Sequence, residues 1–191
     1  MRLGLFGGRF DPPHLGHLLA AQAAFEALQL DELWFIPAQT PPHKPAVASA
    51  EHRAQMLLLA TLSNPAFRVD RTELGRSGPS YTFDTVTQIQ TERPDDTLFF
   101  ITGADAYAEI ASWHRARELV DLVHMVAVAR PGYTLGEMEA TFREHVRILE
   151  TRLCDVSSTD IRTRLRRFES VRYLIPELVE TYLDRTALYR Q

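Results

Sequence analysis

The chain has 191 residues, a formal net charge of -4, 45% hydrophobic residues and one cysteine. This length favours a single domain that buries its own core, and the slightly acidic balance gives no indication of a nucleic-acid partner. A single cysteine excludes an intrachain disulfide. No signal-peptide pattern follows Met1, and no apolar run reaches the roughly 18–20 residues of a membrane helix. We therefore expect a soluble, cytoplasmic protein.

Short apolar runs alternate with amphipathic patterns along the chain, which is typical of parallel strands joined by helices. The runs predict buried strands over residues 3–6, 32–37, 67–70, 97–103 and 124–130. The amphipathic patterns predict helices over about 14–28 and over 51–62, 83–92, 157–168 and 176–188. We expect a Rossmann-like α/β fold, an open parallel sheet with helices on both faces. It forms one domain over 1–191, with a helical C-terminal cap over about 157–191.

The segment GGRFDPPHLGH directly follows the first predicted strand. Ligands of open parallel sheets bind at the carboxyl ends of strands, and a helix N-terminus attracts anions. Gly7 and Gly8 would let the backbone approach a ligand closely or adopt positive φ. His14 and His17 share one face of the helix, where imidazoles can bond phosphate oxygens or become cationic at modest cost. The pattern favours a site that stabilises charge on a transferring phosphoryl group.

Three other interpretations apply to this segment. A zinc site could use the two histidines, but it needs a third and usually a fourth ligand, and Cys154 shows no ligand spacing. The histidines could instead only cap the turn. A dinucleotide site would need the spacing G-x-G-x-x-G, which the stretch GLFGGRFD lacks.

A second polar cluster, VSSTDIRTRL, opens a predicted helix near the C-terminus. Ser157, Ser158 and Thr159 suit a helix N-cap. Arg162 follows within one turn and could reach a phosphate from the same helix end. The later arginines are more typical of a solvated helix face: Arg164, Arg166 and Arg167.

GGRFDPPHLGH resembles the G-x-F-D-x-x-H-x-G-H signature of the nucleotidylyltransferase superfamily. VSSTDIR is similar to the superfamily's second motif, I-S-S/A-T-x-I-R, with Val156 in place of isoleucine. The resemblance implies that His14 and His17 stabilise the nucleotide phosphates and that Phe10 lies beside the triphosphate. It implies these ATP-binding residues: Gly7, Gly8, Phe10, His14, His17, Gly103, Asp105, Ser157, Thr159 and Arg162. The catalytic residues that it implies are His14, His17 and Arg162.

Four further stretches, TPPHKP, PSYTFDT, ITGADAYAEIASWHRARELV and VAVARPGY, resemble bacterial nicotinate mononucleotide adenylyltransferases. A pyridine ring could stack on Trp113. The helix start at Tyr81 and Thr82, and the chain around Trp113, could donate N–H groups to the nicotinate carboxylate. Asp105 could accept a bond from a ribose hydroxyl. A core tryptophan and an N-cap aspartate are the structural alternatives. The implied acceptor-binding residues are His43, Lys44, Tyr81, Thr82, Asp105, Trp113 and Arg130.

The resemblance implies an enzyme that transfers the adenylyl group of ATP to nicotinate mononucleotide, which gives nicotinate adenine dinucleotide and pyrophosphate in NAD biosynthesis. Alternative acceptors are nicotinamide mononucleotide and phosphopantetheine. A non-catalytic nucleotide sensor on the same fold is the alternative from another class. Mg²⁺ is expected as a cofactor bound mainly through the ATP phosphates, without a protein metal site. No nucleic acid or membrane partner is expected, and a homo-oligomer is left open.

Overall fold

The computed structural model describes residues 1–41, 45–129, 140–151 and 154–190. In this part of the chain, six strands form one sheet in which every neighbouring pair is parallel. The strands are β1 (Arg2–Gly8), β2 (Glu32–Pro37), β3 (Phe67–Val69), β4 (Thr97–Gly103), β5 (His124–Ala129) and β6 (Val146–Glu150). Their order across the sheet is β3-β2-β1-β4-β5-β6.

Helices connect the strands and continue beyond the last of them. They are α1 (Leu15–Ala27), α2 (Ala50–Thr61), α3 (Thr82–Glu92), α4 (Ala104–Tyr107), α5 (Ala116–Leu122), α6 (Ala140–Arg143), α7 (Ser158–Arg166) and α8 (Glu177–Thr186). A short 3₁₀ turn covers Ile110–Ser112. Within the described ranges, none of the helices has the length and apolar character needed to cross a membrane.

The strand order reverses at the centre of the sheet, between β1 and β4. The chain moves outward from β1 to β2 and β3, and then returns to place β4 on the other side of β1. Loops that leave the carboxyl ends of β1 and β4 therefore diverge and leave a crevice between them. This crevice is where an open α/β sheet binds its ligands.

Both faces of the sheet are buried, and successive strand residues contribute to opposite sides. Leu3 and Leu5 pack in one cluster with Val86 of α3, whereas Phe6 packs in another with Ala21 of α1. Full burial of an aliphatic or aromatic side chain stabilises the fold by about 1.5–3 kcal/mol. Strands buried on two faces are continuous apolar runs, which is why their positions could be predicted from the sequence.

The predicted helix over 14–28 begins at Leu15 as expected, but it buries a different face. The sequence shows leucines and a phenylalanine at helical spacing, yet Leu19 is 42% exposed. The buried residues of α1 are Ala20, Ala21 and Ala24. Alanines allow the helix to approach the aromatic residues of the sheet closely, and the larger side chains then lie along its flanks.

The C-terminal helices pack on α2 and not on the sheet. A separate apolar cluster contains Met56 of α2, Ile161 and Leu165 of α7, and Val179 and Leu183 of α8. This packing carries the start of α7 to the turn before α1, where the hydroxyl of Ser158 donates to the Pro12 carbonyl at 2.9 Å. Two segments far apart in sequence therefore meet at the carboxyl end of β1.

Strand β6 was not predicted. It lies at the edge of the sheet, where Arg147 and Ile148 are exposed, so it lacks the continuous apolar run of a central strand. The last helix was predicted over 176–188, but Pro176 is the N-cap of α8 and not its first helical residue. Ser49 caps α2, with its hydroxyl accepting from the His52 N–H group at 3.3 Å.

Candidate active site

Two cavities open at the carboxyl end of β1. The first, the histidine cavity, has a volume of about 360 Å³ and is bordered by the starts of α1 and α7. The second, the tryptophan cavity, has a volume of about 450 Å³ and is bordered by the start of α3 and the chain near Trp113. The residues that line both cavities are Gly7, Gly8, Arg9, Thr102 and Asp105.

His14 and His17 lie together in the wall of the histidine cavity. His14 is the N-cap of α1, and its backbone N–H group donates to Nδ1 of His17 at 3.1 Å. The two rings stack with centroids 3.7 Å apart. Because Nδ1 of His17 accepts a hydrogen bond, the proton of a neutral ring is on Nε2, which can donate to a ligand.

Burial lowers the pKa of His17 well below its ordinary value, and the charge of His14 lowers that pKa further. The His17 ring is therefore neutral at pH 7 in the absence of a ligand. The expectation that the ring becomes cationic at modest cost was wrong for His17, because the ring has lost its contact with water.

Phe10 lies in the wall of the histidine cavity, but its ring is buried. The ring centroid lies 5.0 Å from that of His17, and Phe6 and Phe35 surround its other sides. The φ angle of Phe10 is 51°, which is uncommon for a residue with a Cβ atom. Strained backbone of this kind is concentrated at functional sites. Phe10 therefore supports the His17 ring.

Gly7 and Gly8 form the end of β1 and line both cavities. Neither has a positive φ, so that part of the expectation was wrong. A Cβ atom on Gly7 would lie 2.7 Å from Cζ of Phe100, and one on Gly8 would lie 2.9 Å from Cζ of Phe10. The glycines therefore leave space for two aromatic rings that pack beneath the cavities.

The start of α7 closes the histidine cavity from the other side. Ser157 is the N-cap, and its hydroxyl accepts from the Asp160 N–H group at 3.1 Å. Ser157, Ser158 and Thr159 all line the cavity, although Ser158 was not among the predicted binding residues. The unpaired N–H groups of a first helical turn attract anions. The helix starts of α1 and α7 thus both face this cavity.

Arg162 is bound to the turn before α1. Its Nη1 donates to the Asp11 carbonyl at 2.7 Å, and its Nη2 donates to Oγ1 of Thr159 at 3.2 Å. The side chain is 12% exposed, and Arg162 is not among the residues that line the cavity. Its guanidinium therefore joins the two motifs to each other. Its Nε has no hydrogen-bond partner among the described residues, and its contact with ATP stays a prediction.

Asp11 is the buried centre of that turn. Its carboxylate accepts from the N–H groups of Val47 and Ala48 at 2.7 and 3.0 Å, and from the Tyr189 hydroxyl at 2.6 Å. Burial raises the pKa of Tyr189, and the hydrogen bond to Asp11 raises it further. With both oxygens occupied by protein donors, the Asp11 carboxylate holds the loop, α1 and the C-terminus together.

Arg53 is a buried residue that the sequence analysis missed. It is 1% exposed, and its guanidinium donates to the carbonyls of Arg9, Ala38 and Ala48 at 2.8, 2.6 and 3.2 Å. Burial lowers its pKa, and the charge of Asp11 opposes that change. Its position on the apolar face of α2, in helical register with Met56, was the signal for this role.

Trp113 is half-buried in the tryptophan cavity. Its ring stacks on Tyr107, with centroids 5.5 Å apart and planes inclined by 23°, and the Phe100 ring meets its edge at 6.1 Å. The Tyr107 hydroxyl donates to the Phe100 carbonyl at 3.0 Å, and burial raises its pKa. This packing fixes one face of Trp113, which leaves the opposite face available for a flat ligand.

The start of α3 lies at the same cavity. Tyr81 is the N-cap and Thr82 the first helical residue, and no side chain caps the first turn. His114, which was not predicted, stacks on Tyr81 with centroids 4.5 Å apart. The N–H group of Trp113 donates to the Ile110 carbonyl at 3.0 Å. The N–H group of Trp113 itself is therefore occupied, whereas α3 retains its unpaired N–H groups. A donor from the chain around Trp113 stays a prediction.

Glu73 is a second buried charged residue that the sequence analysis missed. It lines the tryptophan cavity, is 6% exposed and accepts from the Thr85 hydroxyl at 2.7 Å. Burial raises the pKa of Glu73, while hydrogen bonds from Thr85 and Ser80 oppose this change. The Ser80 hydroxyl in turn accepts from the Gln39 N–H group at 2.9 Å. Glu73 therefore lies beneath the contact between the segment that follows β2 and the segment that precedes α3.

Gly103 and Asp105 lie at the end of β4. Gly103 is the N-cap of α4 and Asp105 lies inside its first turn, so the interpretation of Asp105 as an N-cap was wrong. Asp105 is exposed and lines both cavities, whereas Gly103 lines the histidine cavity only.

Three other predicted residues, His43, Lys44 and Arg130, lie outside the described residues. Within the described ranges, no three His, Cys, Asp or Glu side chains are arranged to hold a metal ion.

Residues 5–164 match the family described as cytidylyltransferase-like. A protein named probable nicotinate-nucleotide adenylyltransferase from Thermus thermophilus is 50% identical over 190 residues, which cover 100% of both chains. The protein of that name from Leifsonia xyli is 47% identical over 189 residues, covering 99% of this chain and 94% of the relative.

A solved structure of nicotinic acid mononucleotide adenylyltransferase from Plasmodium falciparum, complexed with NaAD, has a TM-score of 0.80 to this chain. The match covers 98% of this chain and 97% of that chain at 18% sequence identity, so it shows a shared fold. Taken with the full-length sequence identity, the fold and the two joined cavities, these matches show that the chain belongs to the cytidylyltransferase-like family and, within it, to the bacterial nicotinate-nucleotide adenylyltransferases.

Proposed function

We propose that this chain transfers the adenylyl group of ATP to nicotinate mononucleotide and releases pyrophosphate. The observation that carries this proposal is the pair of cavities that share a wall at the carboxyl end of β1. One cavity has the chemistry of a phosphate site and the other that of a site for a flat anionic ring. A reaction that joins two nucleotides requires this kind of arrangement, because both must reach one point.

The histidine cavity suits ATP. The first turn of α7 presents unpaired N–H groups, and the helix starts of α1 and α7 both contribute partial positive charge. In α1, the N–H groups of Leu15 and His17 are already bonded to the Leu174 and His14 carbonyls. Neutral His17 donates from Nε2, and the ring of His14 is stacked beside it. These donors are held in place before the substrate arrives, so they stabilise charge that develops on the phosphates with little reorganisation.

The tryptophan cavity suits nicotinate mononucleotide. Its pyridine ring can stack on the face of Trp113 that Tyr107 leaves open. Its carboxylate can accept hydrogen bonds from the N–H groups at the start of α3, beside Tyr81 and Thr82. Asp105, in the wall between the cavities, is an acceptor for a ribose hydroxyl. His43, Lys44 and Arg130 remain predictions for the acceptor phosphate.

In the proposed reaction, a phosphate oxygen of nicotinate mononucleotide attacks the α-phosphorus of ATP. A new P–O bond forms, the bond between the α-phosphorus and the α,β-bridging oxygen breaks, and pyrophosphate leaves with the electron pair. The attacking phosphate is already anionic at neutral pH, so the step requires no general base. Catalysis then depends on position and on charge stabilisation.

Mg²⁺ enters this proposal as part of the MgATP substrate. The two oxygens of Asp11 already accept from backbone N–H groups and from Tyr189, so this carboxylate does not suit a metal ligand. Mg²⁺ commonly keeps several water ligands and binds through substrate phosphates. The chain's own residues act on the phosphate oxygens that the metal leaves available.

The proposal is tested by pyrophosphate release from ATP with three acceptors supplied separately. We expect kcat/KM to be highest with nicotinate mononucleotide, lower with nicotinamide mononucleotide and negligible with phosphopantetheine. Backbone N–H donors at the start of α3 favour a carboxylate over an amide, which explains the first difference. Release with phosphopantetheine alone would contradict the proposal, and ATP binding without release for any acceptor would indicate a nucleotide sensor.

A further inference from the structure

A third cavity opens at the opposite edge of the sheet from the histidine and tryptophan cavities. Its volume is about 390 Å³, comparable to that of the histidine cavity, and none of the described residues that line it lines either of the other two. Arg2, His124 and Val146 are the first residues of β1, β5 and β6. The cavity therefore lies at the amino ends of these parallel strands, and the proposed function gives it no role.

Most of the charged side chains that border this cavity are basic. They are Arg2, His124, His145 and Arg147, and the carboxylate among the described residues there is Glu144. Even with both imidazoles neutral, two permanent positive charges face one negative charge, in a chain whose formal net charge is -4. We call this the basic cavity. A local excess of positive charge attracts anions, although the whole chain is acidic.

The basic side chains share one face of the sheet. Val126 belongs to the apolar cluster on the α1 side, and the alternation of strand residues places His124 on the same face. Arg147 is the register partner of Val126 on β6. Arg2 reaches this face over the ring of Phe99, which is a member of the same cluster. Strands far apart in sequence thus place their basic residues along one wall.

The guanidinium of Arg2 is held in position by the protein. Its Nε donates to the Leu28 carbonyl at 2.9 Å, and its Cζ lies 4.7 Å from the centre of the Phe99 ring. Among the residues that the structure describes, the two Nη atoms of Arg2 and the guanidinium of Arg147 have no hydrogen-bond or ion-pair partner. A guanidinium held in this way keeps donors free for a ligand, and its planar fork suits two phosphate oxygens.

His124 provides a flat surface beside these cations. Its ring stacks on Phe99, with centroids 5.0 Å apart and planes inclined by 25°. Phe99 covers one face of the imidazole, and because the residue is exposed, the opposite face is accessible. The bases of nucleotides stack on aromatic side chains, including histidine. The basic cavity therefore combines a stacking surface with two guanidinium groups.

We propose that the basic cavity is a second, non-catalytic binding site for a nucleoside phosphate, whose base stacks on His124 while Arg2 and Arg147 bind its phosphate oxygens. The imidazole of His145 is a further hydrogen-bond donor at the same wall. No bond is made or broken at this site, so the proposal does not depend on the proposed function. Inorganic pyrophosphate shares the anionic part of this chemistry but has no base to stack.

An NMR titration of the wild-type protein with ADP tests the proposal, because the basic cavity and the active site have separate reporters. The backbone N–H signals of Val126 and Arg147 report on the basic cavity, whereas those of Gly8 and Ser158 report on the histidine cavity. We expect Val126 and Arg147 to shift with a saturation curve of their own. Adenosine and inorganic pyrophosphate should each bind there at least about tenfold more weakly than ADP, since each lacks one half of the ligand.

Two variants test the two halves of the site. Arg147→Gln and His124→Gln should each weaken ADP binding at the basic cavity about tenfold, as followed by the Val126 signal, and should leave binding at the histidine cavity unchanged. Arg117→Gln, an exposed change on α5, removes a positive charge elsewhere and is the matched control, with wild-type affinity expected.

Four results would overturn the proposal. They are no shift of Val126 and Arg147 at millimolar ADP, a shift that follows the saturation curve of Gly8, equal affinities for pyrophosphate and ADP, and an ADP affinity that either variant leaves unchanged. Loss of pyrophosphate release from the wild-type protein is a separate result, which would affect only the proposed function.

Discussion

Buried polar residues determine the shape of the site. Asp11, Arg53 and Glu73 are 2%, 1% and 6% exposed, and each supports a different part of the site. Burial of a charge is costly unless the charge is paired and hydrogen-bonded. Each of these three residues bonds chain segments that border a cavity, and none was among the predicted binding residues. They fix the loops on which the binding residues lie.

Glu73 should make the stability of the fold depend on pH. Burial raises its pKa above the ordinary 4.5, so the folded state retains a proton that the unfolded chain loses. The contribution of Glu73 to stability is therefore present below pH 4.5, falls as pH rises, and levels off above the raised pKa. Glu73→Gln removes this titration and can still accept the bond from Thr85.

Urea unfolding at several pH values between 4.5 and 8 measures this effect. We expect the free energy of unfolding of Glu73→Gln, relative to wild type, to increase with pH across this window. Glu150→Gln, an exposed change, is the control and should show a much smaller dependence on pH. A difference between Glu73→Gln and wild type that is the same at every pH would show that Glu73 has no raised pKa.

Helix starts and strand ends provide most of the groups proposed to bind ligands. The first turns of α1, α3 and α7 face the two cavities, and the ends of β1 and β4 form the wall between them. A helix start supplies N–H donors whatever its side chains are. In the proposed function, side chains then add selectivity, such as Trp113 for a flat ring.

Trp113→Ala should affect the acceptor more than ATP. It removes the stacking surface of the tryptophan cavity, and Trp113 does not line the histidine cavity. Aromatic pairs contribute about 0.5–1.5 kcal/mol beyond burial, so we expect KM for nicotinate mononucleotide to rise about tenfold and KM for ATP to change little. Trp113→Phe keeps an aromatic face and should restore much of the affinity. Equal increases in both KM values would contradict the stacking role.

At the scale of the whole molecule, a hydrogen bond joins the C-terminal segment to the turn after β1. The Tyr189 hydroxyl, in the last turn of the chain, donates to the Asp11 carboxylate in the turn after β1. The apolar cluster between α2, α7 and α8 supports the same arrangement. The C-terminal cap is therefore part of the site, because it holds both the Asp11 turn and the start of α7.

Tyr189→Phe should lower the free energy of unfolding by about 1–3 kcal/mol, because it removes one donor from a buried carboxylate. Urea denaturation measures this, and the KM for ATP should rise as the turn before α1 loosens. Tyr173→Phe is the matched control, since Tyr173 is 84% exposed. Unchanged stability in Tyr189→Phe would show that the backbone N–H groups alone are sufficient for Asp11.

The sequence was most informative where one physical rule governs a segment. Residues 32–37 and 97–103 were predicted with their observed bounds, because strands buried on both faces are continuous apolar runs. The rule fails at the sheet edge, where exposed β6 has no such run. A second rule, that the largest apolar residues at helical spacing are the buried ones, fails for α1, because its close packing on the sheet buries alanines and not the larger Leu19.

The sequence by itself determined the alternation of strands and helices, the two polar motifs and their resemblance to adenylyltransferases, since these are local properties of the chain. Only the tertiary structure showed that β1 lies at the reversal of the strand order and that both cavities share Arg9 in their wall. It also decided that Arg162 bonds the Asp11 turn and that His17 is neutral. Such properties depend on burial and on partners distant in sequence, which the order of residues does not contain.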